Sequence, residues 1–140
     1  MYKTLPKREA LRKLFEILNA VQLDSSKQLT DTEIRLLVEF LCLPNKKFEY
    51  QRFSSLAKTK VIQTAEEELD WVLSRENVNN KIYSMLDKGY LWRDEDSVIY
   101  LAKHIDALTK KLNHVYDSNT PFEFNIIFDN PDKHASENTK

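Results

Sequence analysis

Apolar residues recur three and four positions apart along most of the chain, which is the spacing of one buried helix face. Leu11, Leu14, Phe15, Leu18 and Val21 follow Pro6 in this way and predict a first helix over 6–22. SSKQLT interrupts it. Thr30 and Glu33 then have the capping-box spacing, with Ile34, Leu37, Val38 and Leu41 as the apolar stripe of a second helix over 31–43 that stops before Pro44. NKKFEYQR reads as a polar loop with two aromatics, after which Ser54 or Ser55 caps a third helix whose inner face is expected to use Leu56, Val61, Ile62, Ala65 and Leu69. The third helix ends on Glu66, Glu67, Glu68 and Asp70, charges that oppose the dipole at a C-terminus and read as a solvated face.

Ser74 caps a fourth helix with Val78, Ile82, Met85 and Leu86 on its inward side, each side chain worth roughly 1.5–3 kcal/mol when fully buried. Gly89, the chain's single glycine, falls where a helix ends in a left-handed residue. YLWR and SVIYL are β-favouring runs that make a hairpin around Asp94, Glu95 and Asp96. A further helix over 102–117, with Ala102, Ile105, Leu108, Leu112 and Val115 inward, is expected to pack on the first helix or on a partner's equivalent. FEFNIIF, 122–128, alternates like a strand and places Phe122, Phe124, Ile126 and Phe128 on one face. Such a strand needs a sheet edge, either the chain's own hairpin or another subunit's. The closing DNPDKHASENTK has no core-forming residue and reads as a polar tail.

The fold class is mainly α with a small β hairpin. The order helix, turn, helix, glycine, hairpin in ENVNNKIYSMLDKGYLWRDEDSVIYL resembles the winged helix-turn-helix family, and the chain is also similar to small helix-turn-helix proteins of tailed bacteriophages. The resemblance covers residues 30–102 and implies a winged-helix core. That core would be flanked by a basic N-terminal helix (1–29), a C-terminal helix and strand (103–130) and the tail (131–140). It also implies a recognition helix whose face, Arg75, Glu76, Asn79, Asn80, Tyr83 and Ser84, would meet a DNA major groove, where Asn suits adenine and Arg suits guanine.

Charge argues the other way. The chain carries 21 basic and 22 acidic side chains, and 74–101 holds Arg75, Lys81, Lys88 and Arg93 against Glu76, Asp87, Asp94, Glu95 and Asp96. Backbone neutralisation supplies much of the affinity for DNA, so an acidic wing tip weakens the DNA reading. The one basic stretch is N-terminal: Lys3, Lys7, Arg8, Arg12 and Lys13 against Glu9. Under the DNA reading it should lie beside the recognition helix; under an assembly reading it should face another subunit.

Other chemistry finds little support. Cys42 stands alone in an apolar run and reads as a packed, inert thiol in a reducing setting, and His104, His114 and His134 are dispersed. With no metal-spacing motif, glycine-rich phosphate loop or nucleophile–base pair, we expect no enzymatic activity, no cofactor, no metal site and no small-molecule substrate. No apolar run is long enough to span a bilayer and the start lacks a signal-peptide core, so the expected location is the cytoplasm of a host cell or a virion, without membrane partners. Two readings follow. The first is a non-enzymatic structural or assembly protein, such as a ring or adaptor subunit of a bacteriophage virion, oligomeric and contacting partner subunits through Phe122, Phe124, Ile126 and Phe128. The second, ranked behind it, is a DNA-binding transcriptional regulator using Arg75, Asn79, Asn80, Lys81 and Tyr83.

Overall fold

The computed structural model describes residues 6–48 and 51–117. Helix α1 (Lys7–Ala20) is followed by a single 3-10 turn (Ser25–Lys27), α2 (Asp31–Leu41), a one-turn α3 (Asn45–Phe48), α4 (Ser55–Glu68) and α5 (Arg75–Asp87). A two-stranded hairpin, β1 (Leu91–Arg93) and β2 (Ile99–Leu101), then leads into α6 (Lys103–Asp117). The strands are antiparallel with Trp92 opposite Tyr100, and these two rings stack at 5.0 Å. The mainly helical class with one hairpin is therefore observed. Among the described residues no helix is long and apolar enough to cross a membrane.

Local signals place the helix ends. The Thr30 hydroxyl accepts from the Glu33 N–H while the Glu33 carboxylate accepts from the Thr30 N–H, a complete capping box. Ser54 and Ser74 accept from the Ala57 and Asn77 N–H groups at the starts of α4 and α5. At the end of α5, Gly89 takes φ +84°, its N–H reaches the Leu86 carbonyl, and the Tyr90 N–H reaches the Met85 carbonyl. This paired closure needs a left-handed residue, which glycine supplies without a Cβ penalty.

One core joins these pieces. It runs from Ala10, Leu11 and Phe15 of α1 through Ile34, Leu37 and Phe40 of α2 and Val78, Ile82 and Met85 of α5 to Ile105 and Leu112 of α6. Helix α1 packs on α2 and α6, and α2 also packs on α4 and α5. The C-terminal helix thus finds its cover within the chain, on α1.

Three expectations need correction. NKKFEYQR is not simply a loop: its first four residues form α3, and Phe48 at the end of α3 is buried. A ring that size gains more in the core than a polar turn gains from water. Leu56 is 55 % exposed, and the inner face of α4 is Ala57, Val61 and Ala65. Leu108 is exposed while Thr109 is buried, its hydroxyl donating to the Asp106 carbonyl and so entering the core satisfied. The expected strand at 122–128, including Phe122, Phe124, Ile126 and Phe128, and the tail lie outside the described residues, as do residues 1–5.

Candidate functional site

Two polar clamps fix the ends of α5. At its C-terminus the Lys88 ammonium contacts Glu33 Oε1 at 2.5 Å, with the Glu33 side chain only 1 % exposed. Burial alone would raise the Glu33 carboxyl, but hydrogen bonding from Lys88, from Ser84 and from the Thr30 backbone outweighs it and holds the group below its ordinary range. Glu33 therefore both starts α2 and anchors the end of α5. At the other end the Arg75 guanidinium donates to the carbonyl and hydroxyl of Ser55 and to the hydroxyl of Thr59, tying the first turn of α5 to that of α4.

Between the clamps, α4, α5 and the hairpin enclose a cleft of about 290 Å3 lined by Lys58, Asn79, Ile82, Tyr83, Arg93, Ser97 and Ile99. Its charge is one-signed. Partial burial pushes the Lys58 ammonium below its usual value, and the positive charges of Arg75 and Arg93 push it further the same way. The Arg93 guanidinium lies over the Tyr83 ring at 5.6 Å. None of the ion pairs among the described residues involves Lys58, Arg75 or Arg93. Three cations from α4, α5 and β1 thus lie together on one side of α5.

The expected reading-face residues divide between two roles. Asn80 and Glu76 are exposed on α5, Tyr83 is 57 % exposed, and Lys81 is half-buried. Arg75 is exposed but its guanidinium is engaged with α4. Asn79 is half-buried in the cleft rather than free on the outer face, and its Oδ1 is buried without a hydrogen-bond partner. Ser84 faces Glu33 inside the fold, not the exterior. Lys58 and Arg93 were not among the expected site residues. The resemblance itself held a signal for Lys58, because in a helix-turn-helix the helix preceding the reader crosses the DNA backbone.

The hairpin turn also differs in kind from a patch of loose acids. Asp94 Oδ1 accepts from the Asp96 and Val98 N–H groups at 2.9 Å each, Ser97 adopts φ +65°, and only Glu95 and Asp96 project from the tip. Asp94 is thus the internal cap of the turn.

The remaining basic residues are placed elsewhere. Helix α1 packs against α2 and α6, and Arg8 makes a bidentate pair with the buried Glu39 carboxylate at 2.7 and 2.9 Å. Hydrogen bonding to Glu39 raises the Arg8 guanidinium despite its partial burial. Arg12 pairs with Glu16 one turn on. Burial and the nearby Glu39 charge push the Cys42 thiol up, as a packed thiol requires. A cleft of about 660 Å3 lies among Leu18, Val21, Leu23, Tyr90 and Ile105, with Lys27, Lys88 and His104 also on its wall. Comparisons with protein-family models, with curated proteins and with solved structures find no match to this chain.

Proposed function

We propose that the protein binds duplex DNA as a winged helix-turn-helix reader, with α4 and α5 as the helix-turn-helix and β1–β2 as the wing. The supporting observation is the convergence of Lys58, Arg75 and Arg93 on one side of α5. A count along the sequence misjudges this surface in two ways: it includes Lys88, which is consumed by Glu33, and it omits Lys58, which arrives from α4. Asp94 caps its own turn but keeps its charge. In this reading Lys58 and Arg93 meet phosphates, Arg75 holds α5 at its angle on α4, and Asn80 with Tyr83 faces base edges in the major groove. Helix α1 packs on α2 and α6, so its basic stretch does not meet the placement beside α5 that the DNA reading called for, and this reading rests on Lys58, Arg75 and Arg93.

Selection of binding sites from a randomised duplex pool at about 50 mM salt tests the proposal. We expect enrichment of a short motif containing adenine, lost with Asn80→Ala. A pool that stays random through successive rounds, with no retarded species, overturns it.

A specific observation also favours the assembly reading. Leu23 is 99 % exposed and Val21 47 %, and both border the larger cleft at the end of α1, which shares no lining residue with the Lys58–Arg93 cleft. In that reading the body is a scaffold and the Phe122–Phe128 segment adds contacts to partner subunits. Light scattering decides between them. A defined higher oligomer that dissociates on Leu23→Ser or on removal of 121–140 supports assembly, and a monomer or dimer unaffected by either change counts against it.

A further inference from the structure

The larger cleft has apolar walls that its own surroundings leave open to water. Leu23 and Val21 are exposed at its rim and Leu18 is half-buried in its wall. Leu108 is also exposed, one turn beyond His104 on the same face of α6. The uncovered apolar surface therefore continues from the cleft, which His104 borders, along α6 toward Asp117. Lys27, on the cleft wall, donates to the Asp87 carbonyl and joins none of the ion pairs among the described residues.

We infer that the chain's own segment 122–128 lies back over α6 and seats Phe128 in this cleft, against Leu18, Val21 and Leu23. Chain length supports this occupant. From His104 to Asp117, α6 rises about 20 Å along its axis. Extended backbone from Phe122 to Phe128 spans about the same distance. After the turn residues DSNTP, 117–121, a return antiparallel to α6 thus brings Phe128 level with His104. Alternate residues of a strand are about 7 Å apart, close to the roughly 6 Å between i and i+4 on a helix, so Ile126 then covers Leu108. Asp129, the next residue after Phe128, brings a carboxylate to Lys27. Backbone laid on the surface keeps its outer groups in water and needs no sheet edge. Attachment favours the same chain over a second copy, because a short tether gives an effective concentration on the order of mM. The inference uses none of Lys58, Arg75 and Arg93, so it stands apart from duplex reading, and it competes with assembly for the same surface.

Disulfide trapping in the full chain tests it, with Cys42→Ser, Leu23→Cys and Phe128→Cys combined. Under mild oxidation in dilute solution we expect a bond within one chain, read as a monomer on a non-reducing gel that has lost its free thiols. It should form at least about fivefold faster than in a chain with Ser136→Cys in place of Phe128→Cys, a position whose tether is also long enough to reach Leu23. A second measurement needs no cysteine. Phe128→Ser should raise the binding of an apolar fluorescent dye about threefold or more, and adding Leu23→Ser should remove most of the rise. An unchanged far-ultraviolet circular dichroism spectrum is the fold check for each chain. Equal trapping rates at 128 and 136, or dye binding that Phe128→Ser leaves unchanged, overturns the inference. A disulfide-linked dimer as the main product also overturns it, and gives the cleft to a second copy as the assembly reading requires.

Discussion

Lys88→Met is expected to lower the stability of the fold by about 3–5 kcal/mol, toward the lower figure because the lysine retains some exposure. The variant keeps the apolar stem but leaves the Glu33 carboxylate inside the protein without its cation. An uncompensated buried charge is far more costly than the lost attraction alone. Glu33→Gln combined with Lys88→Met should recover much of the loss, since glutamine still closes a capping box with Thr30 and carries no charge. Urea denaturation of the single and double variants checks this; a loss under about 1 kcal/mol for Lys88→Met would show that the pair is not a structural anchor.

The same pair predicts a pH dependence. The Glu33 carboxyl titrates below its ordinary value of 4.5 in the folded protein, so it adds stability at neutral pH. That stability begins to fall near the unfolded pKa and is gone once pH has dropped through the lower folded one. In Lys88→Met the hydrogen bond and charge that lower the folded pKa are removed, and acid unfolding should begin at higher pH. Because the pair holds the end of α5, the variant should also bind DNA less well even where it remains folded.

The second large effect concerns the cations themselves. Lys58→Gln with Arg93→Gln is expected to weaken binding to every duplex by a similar factor, about tenfold or more at low salt, and to flatten the salt dependence by about two units. Asn80→Ala should behave differently, costing about 1–3 kcal/mol on a selected site and little on other sequences. This contrast separates groups that hold the backbone from the group that reads bases. Both glutamine substitutions lie at partly exposed positions of the cleft, so the circular dichroism spectrum and urea midpoint should stay close to those of the parent chain.

What the sequence discloses here is what acts over a few residues. The Thr30–Glu33 box, the serine caps of α4 and α5 and the Gly89 closure each involve partners within five positions, so spacing alone reveals them. The partners of the two buried carboxylates are 55 and 31 positions away in the chain, and no local pattern marks Glu33 or Glu39 as interior. The face of α4 was misjudged because Leu56 and Ala57 are adjacent and both apolar. The fold buries Ala57 and leaves Leu56 exposed. The site is a harder case of the same kind. Arg75, Asn80 and Tyr83 follow from helix periodicity, whereas Lys58 joins them only through the packing of α4 on α5, and Arg93 only through the hairpin. A charge count along one segment could not see a surface assembled from three.

Fluorescence anisotropy of a labelled duplex, titrated at several salt concentrations between about 50 and 200 mM, tests the central claim most directly. If Lys58 and Arg93 form a working phosphate-contacting surface, log K should fall with log salt at a slope of about −2, flattening toward zero for the Lys58→Gln/Arg93→Gln chain. A slope near zero, or one that the double substitution leaves unchanged, would contradict the account.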